Sequence, residues 1–514
     1  MQVKLGPGSS GSPFVVAGGY VEHPYLKPNQ VEAREFQLRV AERALEENTL
    51  VVVPTGLGKT LIAVLVAAEL LKRKQGTVLF LAPTRPLAVQ HYETMQRLLR
   101  DEGLIQLYTG GVTPKRRTEL WGKGILVVAT PQTIRNDLEQ GRYDLRPLGL
   151  VIFDEAHRAV GDYAYVEIAR RLRFENPRAR VLGLTASPGS KRERFDEVRQ
   201  NLGVLGIEAR DPTSEDVVEH VQHVDVETRF VDLPPTIRRV ARPFHELLAL
   251  NEAKLRQLGI VKGDRPYGLG RGELVKLVQG LGRQGFFAGL YPAAMAHYAR
   301  LSLDYAEIYG LDALKRHLDR MQSKKDPKRN EKSFLNTPQT REAVELLSKG
   351  IESPHPKHGL LLQLLEETAR KRPDFLAIVF TQYRDTIPSI LQAVTEAGHT
   401  GERFVGQAAR GEEAGLDQAG QRDVLDRFAR RELRVLVSTS IGEEGIDVPQ
   451  VDLVVFFDAV PSEIRAIQRR GRTGRTVAGR VVVLVTRNSA DEGALKAAER
   501  KEDQMKRLVR RFGA

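Results

Sequence analysis

Short runs of apolar, often β-branched residues recur early in the chain at Leu50–Val53, Thr77–Leu81, Ile125–Ala129, Leu150–Phe153 and Val181–Leu184. Longer stretches with helical spacing separate them. Continuous apolar runs of this length predict strands buried on both faces, and their alternation with helices predicts a parallel sheet. The rhythm stops between 228 and 350, where apolar residues fall at helical spacing, as in Leu247, Leu248, Leu250, Leu255, Leu258 and in Leu301, Leu303, Tyr305, Ile308, Leu311. It resumes at Phe375–Phe380, Arg403–Val405, Arg434–Val437, Leu453–Phe456 and Arg480–Val485. The expectation is therefore an α/β protein with two parallel-sheet lobes, the first over 20–212 and the second over 213–227 and 351–490. An α-helical insertion domain fills 228–350. Met505, Leu508, Val509 and Phe512 predict a basic amphipathic helix over 491–514. Residues 1–19, with the linker-like run Gly6–Ser12, read as a flexible segment or a cloning remnant.

At 514 residues the chain exceeds what one hydrophobic core supports, which agrees with several packed units. Lys and Arg number 78 against 66 Asp and Glu, giving a net charge of +12 and a polyanionic partner such as nucleic acid or acidic lipid. Between Arg229 and Lys349 there are 22 Lys and Arg against 13 Asp and Glu, so most of the surplus lies in the insertion. Phosphate contact accounts for it, although a solvated helical spacer would show the same composition. Lys324–Asn330 reads as a basic surface loop. Cysteine is absent, which excludes disulfides, thiolate metal sites and cysteine nucleophiles. The longest apolar stretch, Leu61–Leu71, is interrupted by Glu69 and falls short of the roughly 20 residues that span a bilayer. A cytoplasmic protein without a membrane partner is expected, associated with the nucleoid in a prokaryote.

Candidate chemistry sharpens this picture. Val51–Val53 leads through Pro54, Thr55, Gly56, Leu57, Gly58, Lys59 and Thr60 into a helical pattern, which is the context of a phosphate-binding loop. Its glycines free backbone N–H groups to surround phosphate oxygens, Lys59 reaches the outer phosphates of ATP, and Thr60 offers a hydroxyl to Mg²⁺. The strict pattern has Gly where Val53 stands. A strand over Leu150–Phe153 ends in Asp154, Glu155, Ala156 and His157. Ligands gather at such strand ends in parallel sheets. Asp154 suits Mg²⁺, and Glu155 suits the orientation and deprotonation of an attacking water. Arg34 and Gln37 lie on a helix before the loop, where a glutamine can read an adenine edge. Far along the chain, Gln468–Arg475 concentrates arginines, and Arg472 and Arg475 are candidates to place charge on a transferring phosphoryl group, with Gln468 beside them.

The order of these segments, together with Pro83–Leu87, Thr130–Thr133 and Thr185-Ala186-Ser187, resembles superfamily 2 helicases. Within them, Pro54–Thr60, Phe153–Gly161, Gly183–Gly189 and Gln468–Arg475 are most similar to the archaeal helicase-associated endonuclease for fork-structured DNA and its Fanconi anaemia group M and fungal mutator-phenotype relatives. The resemblance covers about residues 20–490. It implies two RecA-like lobes of the P-loop NTPase class, an ATP-dependent DNA helicase acting on forks and junctions in DNA repair, and grip of duplex near a branch point by the insertion. It also implies backbone contacts from Thr84, Arg85, Gly110, Thr130 and Gln132 in lobe one and Thr381, Gln407 and Thr439 in lobe two. Asp447 is expected at the nucleotide ribose, and Thr185, Ser187 and Gly445 in coupling hydrolysis to movement, with 3′→5′ polarity. An RNA-dependent ATPase is the alternative. The archaeal relative carries a C-terminal nuclease with a Glu-Arg-Lys-x-x-x-Asp signature; here Glu499-Arg500-Lys501 is followed by Met505 in place of the aspartate, so a closing helix is expected instead.

Overall fold

The computed structural model describes residues 12–54, 56–186, 192–210, 214, 216–217, 226–263, 268–349, 353–405, 416–439, 451–459 and 479–513. A short antiparallel hairpin opens it, β1 (Val15–Ala17) with β2 (Tyr20–Glu22). Just before it Phe14 is buried and Ser12 hydrogen-bonds Glu42.

Seven strands form the first sheet: β3 (Thr49–Val52), β4 (Thr77–Leu81), β5 (Ile105–Tyr108), β6 (Leu126–Ala129), β7 (Leu148–Phe153), β8 (Arg180–Thr185) and β9 (Gly206–Ala209). Their order is β5-β6-β4-β7-β8-β3-β9, and every neighbouring pair is parallel. The flanking helices include α1 (Glu35–Glu46), α2 (Lys59–Lys72), α3 (Arg85–Leu98), α4 (Pro114–Leu120), α5 (Pro131–Glu139), α6 (Ala164–Glu175) and α7 (Arg192–Leu202). Residues 62–71 of α2 are all buried, which explains an apolar run that lacks a polar face. β5 and β9 escaped the sequence pattern because they are edge strands, half exposed, with Gln106 and Glu208 interrupting the apolar run.

The second sheet runs β10 (Val226–Val231), β15 (Arg480–Thr486), β14 (Leu453–Phe456), β11 (Ala377–Phe380), β13 (Val435–Ser438) and β12 (Gly401–Phe404), again parallel throughout. Residues 228–231, expected in the helical insertion, belong to the edge strand β10. Its polar run Glu227-Thr228-Arg229 concealed it. Helices then run from Pro235 to Ser348: α8 (Pro235–Gln257), α9 (Arg271–Arg283), α10 (Phe287–Asp304), α11 (Leu311–Gln322), α12 (Arg329–Leu335) and α13 (Pro338–Ser348). A π turn, Tyr305–Tyr309, follows α10.

The insertion is fastened to lobe two. One continuous apolar cluster includes Phe244, Leu303 and Phe334 of the insertion together with Phe375, Val437 and Leu484 of the lobe. At its edge Tyr305 donates to Asp385 at 2.8 Å, Arg320 reaches the same carboxylate with both nitrogens at 2.8 and 2.6 Å, and Tyr309 meets Tyr383 edge to face. The C-terminal helix, Ala490–Gly513, begins on lobe two, where Ala494 and Leu495 pack, and reaches lobe one, where Met505 joins the core. Among the described residues no helix is long and apolar enough to cross a membrane.

Candidate nucleotide and nucleic-acid site

The topology of lobe one brings three loops to one end of the sheet. β8 lies between β3 and β7, so the segment after β3, the acidic segment after β7 and Thr185 at the end of β8 are neighbours. Val53 is fully buried, and its amide extends the ladder by donating to the Thr185 carbonyl at 3.1 Å. The position where the strict motif has Gly therefore directly follows β3 and continues its pairing, which a valine can do. Gly56 and Gly58 do need their freedom, with φ of 92° and 77°. Gly58 starts α2, so Lys59 and Thr60 occupy its first turn. Lys59 Nζ lies 3.4 Å from the Val53 carbonyl. Thr55 lies outside the described residues.

Gln37 sits against this loop from α1. Its Nε2 donates to the Leu57 carbonyl at 2.9 Å, and a Cβ on residue 58 would lie 2.3 Å from that nitrogen. The other half of the amide, Oε1, is buried without a partner among the described residues. A buried orphan acceptor at a phosphate loop fits a ligand that brings a donor, such as an adenine amino group. Arg34, one turn before, pairs with Glu32 at 3.0 Å and is partly buried.

Asp154 follows β7 and is 7% exposed. His91 Nε2 from α3 lies 3.0 Å from its Oδ2, and the Tyr165 hydroxyl donates to its carbonyl at 2.6 Å. A carboxylate so oriented at a strand end, beside the loop bearing Thr60, suits a hard divalent cation. Glu155 adopts a left-handed backbone, φ 49°, a strained conformation that concentrates at functional sites. His157 Nδ1 lies 3.1 Å from Glu155 Oε2 and 3.0 Å from Thr185 Oγ1. The imidazole therefore links the acidic loop to the end of β8. No sequence pattern singled out His91 or the His157 link, because both depend on elements distant along the chain.

The remaining candidates divide. Arg85, Gly110 and Gln132 are exposed on loops and first turns at the same end of the sheet. The Arg85 guanidinium leans over Gly111, where a Cβ would lie 3.3 Å from it. The Thr130 hydroxyl is turned inward to Thr133 at 2.8 Å, and that of Thr84 is buried, so these two present backbone rather than side chain. Thr381 directly follows β11 and is fully buried, its hydroxyl 2.6 Å from that of Thr386. Thr439, just past β13, is partly exposed. Ser187, Gln407, Gly445, Asp447, Gln468, Arg472 and Arg475 lie outside the described residues.

Two paired parallel sheets, with a phosphate loop and an acidic strand end in the first, define a helicase core. The family profiles agree: that of the DEAD/DEAH box helicases matches residues 34–195, and the helicase conserved C-terminal domain matches 357–477. Among solved structures, the Pyrococcus furiosus Hef helicase domain has a TM-score of 0.74 at 37% identity, over 92% of this chain and 100% of that one. The ATP-dependent DNA helicase MPH1 of Pyricularia oryzae is 33% identical over 93% of the chain. A Methanocaldococcus jannaschii protein, provisionally named an ATP-dependent RNA helicase, is 38% identical over 96%. The chain belongs to this family, the superfamily 2 DNA helicases that include Hef and Mph1. It spans 45% of the length of the Pyricularia protein and 62% of the Methanocaldococcus one.

Proposed function

We propose that the chain is an ATP-dependent DNA helicase or translocase acting on forks and junctions, with 3′→5′ polarity, in DNA repair or replication restart. One observation carries the reading: the phosphate loop and the Asp154–Glu155 pair flank β8, which the His157–Thr185 contact ties to the acidic loop. In this reading Lys59 meets the outer phosphates of ATP, Thr60 and Asp154 hold Mg²⁺, and Glu155 orients and deprotonates the attacking water. Bound Mg²⁺ would neutralise charge on the transferring phosphoryl group. Arg472 and Arg475 of lobe two, with Gln468, are assigned to that group, so hydrolysis requires the lobes to close; Asp447 is assigned to the ribose, and Gly445 with Thr185 and Ser187 to coupling. Thr84, Arg85, Gly110, Thr130, Gln132, Gln407 and Thr439 hold the strand by its backbone, which suits sequence-independent binding. The basic insertion, carried on lobe two, grips duplex at the branch.

The test is strand displacement on forks, three-way and four-way junctions, with ATP hydrolysis measured in parallel. Lys59→Ala abolishes both, and equal rates on branched and linear duplexes refute the branch preference. RNA as substrate has one observation in its favour, the name of the Methanocaldococcus relative. Stronger stimulation of hydrolysis by double-stranded RNA than by forked DNA would decide for it.

A further inference from the structure

A buried ion pair in lobe one, Arg117 with Asp137, takes no part in the phosphate chemistry, yet it joins two segments to which strand contacts are assigned. β5 and β6 are parallel neighbours, so the turn Thr109–Val112 after β5 and the start of α5 after β6 lie side by side. The Thr130 amide donates to the Tyr108 carbonyl at 3.1 Å, which fastens one chain to the other where both leave the sheet. Gly110 stands on the first segment and Gln132 on the second, both exposed.

Past the turn, α4 carries Arg117, and α5 carries Asp137 on the same helix as Gln132. Arg117 Nε and Nη2 donate to the two oxygens of Asp137 at 2.6 and 2.7 Å, a fork on a carboxylate. Its remaining nitrogen, Nη1, donates to the Val112 carbonyl. One guanidinium thus holds the turn after β5 and the body of α5 at once. The Arg117 carbonyl accepts from the Tyr108 hydroxyl at 2.9 Å, which pins α4 to the end of β5.

Asp137 has no solvent exposure, and it also accepts from the Tyr143 hydroxyl at 2.9 Å and from Arg142. Burial raises the carboxyl's pKa, but these donors outweigh burial and leave it below the ordinary value, so the pair stays charged. A buried ion pair is a poor device for stability alone, since apolar residues of similar volume hold a core as well or better. What the pair adds is direction. Apolar side chains pack without fixed bonds, whereas this guanidinium sets the Val112 carbonyl and α5 at one separation.

We propose that Arg117 is a positioning residue for the nucleic-acid strand: by tying the Val112 carbonyl to Asp137 it fixes the spacing between Gly110 and Gln132, so that both meet the backbone of one bound strand. The proposal rests on the strand contacts assigned above and adds to them the pair that sets their separation.

The test measures binding of a fluorescent oligothymidylate by anisotropy, and its stimulation of ATP hydrolysis, on the full chain. Arg117→Met combined with Asp137→Leu replaces the pair by apolar residues of similar size, so cooperative unfolding in urea is retained while Val112 loses its donor. Arg117→Lys keeps a cation beside Asp137, but a point charge does not span the carboxylate and the Val112 carbonyl as the planar fork does. Either variant weakens binding about tenfold, the loss expected when the loops are correctly spaced in about a tenth of the molecules. The strand concentration for half-maximal stimulation rises equally, while kcat at saturating strand changes by less than about twofold. Tyr143→Phe removes one bond to Asp137, keeps the ring stacked on Trp121 at 4.0 Å and leaves the hold on Val112 intact, so affinity stays within about twofold of the parent. Unchanged affinity in Arg117→Lys, or in the folded double variant, overturns the proposal. A loss in Tyr143→Phe as large as that in Arg117→Lys does so too, since stability of the network rather than the spacing would then govern binding. A parent chain that binds no oligothymidylate sinks the strand contacts themselves, a separate result.

Discussion

Replacing Thr185 with Val separates hydrolysis from movement. Thr185 is fully buried at the end of β8, and its hydroxyl lies 3.0 Å from His157 Nδ1, which also approaches Glu155 at 3.1 Å. Valine preserves the shape and the backbone, so the Thr185 carbonyl still accepts the Val53 amide at 3.1 Å and the sheet is undisturbed. What is lost is a side-chain link between the acidic loop and β8. A neutral hydrogen bond contributes about 1 kcal/mol net, and leaving its partner unsatisfied raises the loss to about 3 kcal/mol. At about 1.4 kcal/mol per tenfold, strand displacement slows by between about fivefold and about a hundredfold. Lys59, Thr60, Asp154 and Glu155 are untouched, so fork-stimulated hydrolysis stays within about twofold. The assay pairs ATP turnover with displacement of a labelled fork strand under identical conditions. Equal losses in both would place Thr185 in the chemistry, and no loss in either would leave the link without a role; each result refutes the coupling argument.

Three further outcomes follow from particular contacts. Gly58→Ala weakens ATP binding measured by calorimetry, since the φ of 77° disfavours any side chain and its Cβ, 2.3 Å from Gln37 Nε2, would push that amide off the loop; unchanged binding would show that the loop tolerates a different path. Asp137→Ala destabilises lobe one by about 3–5 kcal/mol in denaturant unfolding, because it strips Arg117, 5% exposed, of two bonds at 2.6 and 2.7 Å within a buried pair. Acid weakens the fold through His317, whose pKa burial lowers to about 4. The folded state then binds fewer protons than the unfolded chain between pH 6.5 and about 4, so stability contributed at neutral pH is lost as pH falls through that window, by about 3 kcal/mol. His317→Gln flattens this slope in urea midpoints taken across the window, and an unchanged slope would assign the acid sensitivity elsewhere.

Hydrophobic period alone located the central strands of both lobes, since a strand buried on both faces must be apolar throughout. The spacing of glycines, Lys59 and the Asp154–Glu155 pair at a strand end located the phosphate chemistry, because those residue types meet demands that are local along the chain. Edge strands β5, β9 and β10 were not legible: half solvated, they carry polar residues that break the run. Only tertiary structure decided that His91 lies against Asp154, that His157 bridges to Thr185, that Gln37 gives half its amide to the loop, and that Tyr305 and Arg320 of the insertion meet on Asp385 of lobe two. Each of those contacts joins residues far apart in sequence, so their geometry comes into being only when the strand order and the docking of the insertion are set.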